Sequence, residues 1–135
     1  MCLRTVSVRM TNPRPRVLVA DDYEDLLVAF KRLLEPWCEV VGCVPDGDAL
    51  LDSMARLQPD LIVVDLFIPP DSGLKICRRI KHVAPETLVI IVSASNDADV
   101  AKEARQAGAS AFVNKAAAAD DLVPAIQRAM ATRSA

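Results

Sequence analysis

The chain has 135 residues, of which 52% are hydrophobic and 25% charged, values typical of one globular domain with a full core. Its formal net charge of −2 provides no basic field, so we expect no direct nucleic-acid binding. No apolar run approaches the roughly 18 residues that cross a membrane, so we expect no membrane insertion.

The first fifteen residues differ from the rest. Residues 1–15 contain Arg4, Arg9 and Arg14, no acidic residue and no periodic apolar face. They also lack the apolar segment of a secretory signal. We predict a disordered tail over residues 1–15 and a single domain over residues 16–132, in a cytoplasmic protein. A translation start at Met10 stays open.

Five short apolar runs then alternate with segments of helical spacing. The runs, at 16–20, 39–43, 61–64, 88–92 and 111–114, are predicted strands. The helical segments are expected to end at Pro36, at 58–60, at Pro85 and at Gly108, and the fifth helix is expected to have Asp120 or Asp121 as N-cap. Five β-α units with right-handed crossovers predict a flavodoxin-like α/β fold: a five-stranded parallel sheet of order 2-1-3-4-5 with helices on both faces.

Polar side chains follow four of the predicted strands, at the point where each strand ends. Asp21 and Asp22 follow the first, Asp65 the third, Ser93 the fourth and Lys115 the fifth. Because parallel strands all point the same way, these groups should meet at one edge, where open α/β sheets bind ligands. The spacing therefore predicts an acidic pocket with one cation opposite.

The residue types in this pocket suit magnesium and a phosphoryl group. Three carboxylates favour Mg²⁺, which prefers oxygen ligands and retains several waters. Lys115 offers a compact positive charge for a phosphoryl oxygen, and Ser93 offers a hydroxyl donor. Asp65 ends the middle strand and is the best candidate for a nucleophile that forms an aspartyl phosphate.

With these motifs in place, the chain resembles the receiver domain of two-component response regulators, in the CheY-like superfamily. The resemblance covers about residues 16 to 132. It rests on four segments that occur in family order and spacing: 17–22, 63–69 with Gly73, 92–94, and 112–115. Each segment alone is a weak signal, whereas the set is highly specific.

The resemblance implies a role for each acid of the pocket. Asp65 would accept a phosphoryl group from the phosphohistidine of a histidine kinase or phosphotransfer protein, as in a phosphorelay. Asp22 would bind Mg²⁺ directly and Asp21 through a metal-bound water. The backbone carbonyl of Phe67 would be a further metal ligand.

It also implies the switch that follows phosphorylation. Ser93 would bond a phosphoryl oxygen, Lys115 would pair with the phosphoryl group, and Phe112 would change rotamer after Ser93. The face formed by the fourth helix, fifth strand and fifth helix would then contact a downstream partner, an output domain or a second copy of the chain. The resemblance implies no enzyme activity beyond self-phosphorylation from small donors and self-dephosphorylation.

The chain departs from the family pattern at two places. Ala116 follows Lys115 where many members have a proline after a cis bond, so the Lys115–Ala116 bond is left open as cis or trans. Pro69-Pro70 replaces the single proline that the family often has there.

Three other interpretations are weighed against the receiver. Asp21 and Asp22 could simply cap the following helix. The domain could be a degenerate receiver that binds proteins without phosphorylation, which the retained pocket residues argue against. It could be an aspartate-nucleophile phosphatase, but such enzymes have a second acid two residues after the nucleophile, where this chain has Phe67. The four cysteines are expected to be incidental reduced thiols.

Overall fold

The computed structural model describes residues 14–134, so most of the predicted tail lies outside the described residues. The strands are β1 (Arg16–Ala20), β2 (Glu39–Val44), β3 (Leu61–Asp65), β4 (Leu88–Ser93) and β5 (Ala111–Asn114). The helices are α1 (Glu24–Leu34), α2 (Gly47–Leu57), α3 (Gly73–Val83), α4 (Ala98–Gln106) and α5 (Ala118–Ser134). A 3₁₀ turn over Lys115–Ala117 precedes α5.

The sheet confirms the predicted topology. Its five strands are parallel and lie in the order β2-β1-β3-β4-β5, so the fold is the flavodoxin-like α/β fold. Asp65 lies opposite Val92, and Ser93 lies opposite Asn114. The last residues of β3, β4 and β5 therefore meet at one edge, which we call the carboxyl edge.

Two hydrophobic layers cover the two faces of the sheet. Val17 and Val19 belong to a layer with α1 and α5, whereas Leu18 and Ala20 belong to a layer with α2, α3 and α4. Successive residues of a strand point to opposite faces, so a strand that is apolar throughout is buried on both sides. This double burial fixes the direction in which each strand presents its last residue.

The start of α5 differs from the prediction. Neither Asp120 nor Asp121 is an N-cap, because the helix begins earlier, at Ala118, directly after the 3₁₀ turn. The cap belongs to that turn: Asn114 Oδ1 accepts a hydrogen bond from Ala116 N at 2.9 Å. The two aspartates lie in the first turn of α5, where negative charge is favourable to the helix dipole.

The other predicted helix ends are confirmed. α1 ends before Pro36, α2 ends before Gln58 in the left-handed region, and α3 ends before Pro85. Gly108 has a φ of 104° just beyond α4, which suits the predicted C-terminal glycine. Within residues 14–134 the cis peptide bond joins Pro69 to Pro70, so the Lys115–Ala116 bond is trans.

The opposite edge of the sheet, the amino edge, holds the last two residues of the predicted tail. The Arg14 guanidinium donates to the carbonyl of Cys38 at 2.8 Å and to that of Glu35. The carbonyl of Pro15 accepts from Glu39 N at 2.8 Å. Trp37, in the corner between α1 and β2, is 55% exposed. Arg14 and Pro15 are thus hydrogen-bonded to the corner between α1 and β2.

No helix within the described residues combines the length and apolar character needed to cross a membrane. The described cysteines Cys38, Cys43 and Cys77 are free thiols. Burial raises the pKa of the Cys77 thiol to about 11, which keeps it protonated and unreactive.

Candidate functional site: an acidic pocket at the carboxyl edge

Three strands deliver buried polar residues to the carboxyl edge. Asp21 follows β1 and is fully buried, while its backbone N–H donates to Val44 O at 3.1 Å. Asp65 and Ser93 are the last residues of β3 and β4, and both are buried. Buried carboxylates need a compensating charge or ligand, so the carboxyl edge needs positive charge near Asp21 and Asp65.

The three predicted acids form one cluster. Asp21, Asp22 and Asp65 each offer a carboxylate oxygen, and these oxygens all lie within 4.8 Å of one another. Asp22 is exposed, so the cluster is open to solvent on that side. Oxygen-only donors on an accessible wall are the chemistry that Mg²⁺ prefers, since it retains water in its coordination shell.

Lys115 is the cation of the pocket. Its Nζ lies 3.0 Å from Asp65 Oδ2 and 3.0 Å from Asp21 Oδ2. Only the contact with Asp65 has hydrogen-bond geometry, and Asp21 Oδ2 is buried without a hydrogen-bond partner. This carboxylate oxygen keeps acceptor capacity, and the residues present therefore fit a bound divalent cation.

The charges of the pocket are not balanced. Burial raises the pKa of Asp65, and the neighbouring Asp21 adds to the rise, while hydrogen bonding and charge from Lys115 oppose it. Burial lowers the pKa of Lys115, but its hydrogen bond with Asp65 and its ion pairs with Asp65 and Asp21 outweigh burial and raise the pKa overall. One ammonium group thus serves two carboxylates, and an additional cation would relieve their repulsion.

The capping interpretation of Asp21 and Asp22 is not supported. The N-cap of α1 is Tyr23, and it has no side-chain capping bond. Asp21 Oδ1 accepts from Tyr23 N at 2.9 Å, which shapes the turn and leaves Oδ2 toward Lys115. The two acids are therefore free to act in the pocket.

Comparison with protein-family models identifies the family of the chain that carries this pocket. The family model for the response regulator receiver domain matches residues 17–127. The chain belongs to this family.

Curated relatives and solved structures agree with the assignment. The receiver is 27% identical over 113 residues to the DNA-binding transcriptional activator EvgA of Escherichia coli K12, covering 83% of this chain and 55% of EvgA. It is 34% identical over 112 residues to the sensory/regulatory protein RpfC of Xanthomonas campestris, covering 80% of this chain and 15% of RpfC. The chain thus spans less than two thirds of these relatives' length.

Two solved structures have the same fold. A LuxR-family two-component response regulator from Aurantimonas is 28% identical, with a TM-score of 0.83 over 88% of this chain and 86% of that one. The signal receiver domain of NarL from Mycobacterium tuberculosis is 26% identical, with a TM-score of 0.80 over 86% of this chain and 95% of that one.

The remaining predicted site residues of the receiver are Ser93, Phe67 and Phe112. Ser93 is fully buried, and its Oγ accepts from Ser95 N at 3.0 Å. Phe67 is 70% exposed, and its N–H lies 3.4 Å from Asp65 Oδ1. Phe112 is half-buried against the layer of α2, α3 and α4. Ser93 follows Val92, the partner of Asp65, and lies opposite Asn114, the residue before Lys115. Phe112 lies three residues before Lys115, within β5.

Sequence reasoning singled out Gly73 but missed its close packing on β3, and it missed the capping role of Asn114; both support this receiver pocket. Asn114 caps the turn that carries Lys115, and a short polar residue before an alanine run was the available signal. Gly73 packs so closely on β3 that an added Cβ would lie 2.5 Å from Asp65 O. A side chain there would displace the phosphoacceptor candidate itself.

Proposed function

We propose that the chain is an active phosphoacceptor receiver, in which Mg²⁺-dependent phosphorylation of Asp65 controls contact with a downstream partner. The supporting observation is the position of Lys115 Nζ, 3.0 Å from an oxygen of Asp65 and from one of Asp21. A single ammonium ion between two carboxylates leaves the site short of positive charge. Phosphoryl transfer with a divalent cation supplies what is missing.

In the reaction, one Asp65 carboxylate oxygen attacks the phosphorus of a donor phosphohistidine. A bond forms between phosphorus and that oxygen, the bond between phosphorus and the imidazole nitrogen breaks, and the imidazole leaves with the electron pair. Asp22, Asp21 and the Phe67 carbonyl would hold Mg²⁺, which would neutralise charge on the transferring group. Lys115 pairs with the phosphoryl oxygens once Asp65 is modified.

The new group adds charge and three strong acceptors at Asp65. The Ser93 hydroxyl, buried at the next strand end, would donate to one of these oxygens. Phe112, half-buried on β5, would follow into the space that Ser93 leaves. Together these movements bias the α4-β5-α5 face between two arrangements.

The packing of α4 favours this face as the responsive surface. α4 contributes only Ala104 as a buried residue, with Ala107 just beyond its end. A helix anchored by small side chains loses few contacts when it moves. Addition of beryllofluoride with Mg²⁺ should shift amide resonances in residues 94–130, and shifts that spare those residues would contradict the proposal.

The partners follow from the same chemistry. A histidine kinase or phosphotransfer protein would donate the phosphoryl group, and an output domain, another protein or a second copy would recognise the α4-β5-α5 face. We place this exchange in the cytoplasm. The relatives EvgA and RpfC are a DNA-binding activator and a sensory/regulatory protein, which fits a receiver that serves a larger assembly.

One experiment separates this proposal from its two alternatives. The purified chain is incubated with acetyl phosphate, with and without Mg²⁺, and its intact mass is measured. One phosphoryl group per chain, added only with Mg²⁺, is the expected result. No addition would support a phosphorylation-independent binding module. Repeated turnover of a phosphomonoester such as p-nitrophenyl phosphate would support a phosphatase.

A further inference from the structure

The loop after Asp65, residues 66–72, is anchored at its first residue by two backbone hydrogen bonds. Leu66 N donates to Val92 O at 2.8 Å, and Leu66 O accepts from Gly73 N at 2.7 Å. Leu66 and Ile68 are buried, whereas Phe67 between them is 70% exposed. The segment that carries the Phe67 carbonyl is thus fixed on both sides by buried neighbours.

The far part of this loop is held by another helix. Gly47 N, at the first residue of α2, donates to Pro69 O at 2.7 Å. The first N–H groups of a helix have no partner within the helix. Asp46 satisfies one of them by accepting from Ala49 N at 2.8 Å, and the 66–72 loop satisfies the Gly47 N–H. Helix α2 therefore docks end-on against the loop beside the pocket.

This contact leaves little space for a side chain at position 47. A Cβ at position 47 would lie 2.8 Å from Ile76 Cδ1, 3.4 Å from Ile76 Cγ1 and 3.5 Å from Pro69 O. Ile76 is 1% exposed, in the middle of the layer below α2 and α3, and its side chain has little space to move. A side chain at position 47 requires either that the end of Ile76 moves or that α2 shifts away from α3, and a shift of α2 lengthens the bond to Pro69.

We propose that the hydrogen bond from Gly47 N to Pro69 O is a positioning contact for Mg²⁺ binding. It would hold residues 66–72 in place, so that the Phe67 carbonyl could act as a ligand together with the Asp21–Asp22–Asp65 cluster. Gly47 acts through the loop and is itself not a ligand. This inference rests on the proposed Mg²⁺-dependent receiver function, and it adds a residue on a different helix to the support of the site.

The test is a direct measurement of Mg²⁺ affinity by isothermal titration calorimetry. Gly47→Ala should weaken Mg²⁺ binding about tenfold, the lower end of the range for removal of groups that orient metal ligands. Amide hydrogen exchange at position 47 should become faster in the metal-free variant, because the bond to Pro69 is lengthened. Circular dichroism should show a folded domain.

A compensating variant tests the steric argument. Ile76→Val removes Cδ1, the atom that a Cβ at position 47 would meet at 2.8 Å. Gly47→Ala/Ile76→Val should therefore recover most of the lost Mg²⁺ affinity, while Ile76→Val alone should bind Mg²⁺ as the parent does. Gly42→Ala is the matched control on β2, where an added Cβ meets Leu57 Cδ1 at 3.0 Å and Leu18 Cδ1 at 3.1 Å, away from the loop.

The outcomes distinguish this inference from the proposed function. A parent protein that does not bind Mg²⁺ overturns both. A parent that binds Mg²⁺ together with a Gly47→Ala variant of equal affinity overturns the positioning role alone. Equal losses of affinity in Gly47→Ala and Gly42→Ala, or no recovery in the double variant, also overturn it, because the effect would then be general loosening of the domain.

Discussion

Two aspartates bracket β3, and the chain uses them in opposite ways. Asp60 lies just before the strand at the amino edge and is saturated with partners. Its Oδ2 accepts from Arg16 N at 2.9 Å, and its Oδ1 pairs with Arg133 at 3.3 Å. Its backbone N–H donates to Arg16 O at 2.8 Å, and its carbonyl accepts from Leu88 N at 3.0 Å.

Asp65, at the other end of the same strand, lacks such compensation. It shares Lys115 with Asp21, and burial raises its pKa. The unbalanced negative charge therefore lies at the carboxyl edge of the sheet, whereas the charge of Asp60 at the amino edge is paired. Asp60 joins β1, β3 and α5 through fixed partners of the chain, whereas Asp65 is left to be completed by groups from outside.

The largest expected effect concerns phosphoryl uptake. Asp65→Asn should abolish labelling from acetyl phosphate with Mg²⁺, because the amide is not a nucleophile toward phosphorus. Asp60→Asn should be labelled at the parent's rate, since Asp60 lies at the far edge of the sheet. Intact-mass spectrometry checks both, and equal labelling of Asp65→Asn and the parent would remove Asp65 from its proposed role.

Magnesium affinity gives the next largest effect. Asp22→Ala should weaken Mg²⁺ binding by about tenfold or more, and more than Asp21→Ala, because a direct ligand outweighs one that acts through water. Asp60→Ala serves as the control and should leave the affinity unchanged. Calorimetric titration that gives the reverse order for Asp21 and Asp22 would reject these two roles, and affinity that survives loss of both would reject the pocket.

Replacement by asparagine should change thermal stability in opposite directions at the two aspartates. A folded-state pKa above the unfolded one means that Asp65 adds stability below the unfolded pKa, and that this contribution is lost as pH rises through the folded value. At neutral pH without Mg²⁺, Asp65→Asn should therefore raise the melting temperature. Asp60→Asn should lower stability by about 1 kcal/mol or less, as expected for a partly exposed ion pair.

Two conditions sharpen that result. The gain in Asp65→Asn should shrink as the pH falls, because the parent's carboxylate becomes protonated. It should also shrink when Mg²⁺ stabilises the parent. Melting curves followed by circular dichroism across pH and Mg²⁺ concentration measure both. A gain that is independent of pH would mean that charge is not its cause.

The smallest effect concerns the lifetime of the aspartyl phosphate. Phe67 is 70% exposed beside Asp65, and it cannot orient an attacking water by hydrogen bonding. We expect slow self-dephosphorylation, and Phe67→Asn should shorten the half-life severalfold. The decay is followed after removal of the donor at fixed Mg²⁺. A half-life that is unchanged or longer in the variant would show that Phe67 does not shield the phosphoryl group.

The sequence predicts the strands and the acidic cluster because each depends on a local signal, an apolar run that ends in a polar residue. The alternation of these strands with helices then predicts the sheet order. The start of α5 was predicted wrongly, since the cap was assigned to Asp120 or Asp121, whereas Asn114 caps the 3₁₀ turn that leads into the helix at Ala118. The contact between Gly47 and Pro69 was also beyond reach. It joins the first residue of α2 to the loop after β3, and the lack of space for a side chain at position 47 arises from the position of Ile76.

The exposure of Trp37 determines what intrinsic tryptophan fluorescence can report about this molecule. It is the single tryptophan of the chain, it is 55% exposed, and it lies at the amino edge beside the start of β2. Its emission will report the loosening of that corner during unfolding and will be insensitive to occupancy of the acidic pocket. An optical signal for magnesium or phosphoryl binding needs an indole at the carboxyl edge, and Phe67→Trp would introduce one next to Asp65.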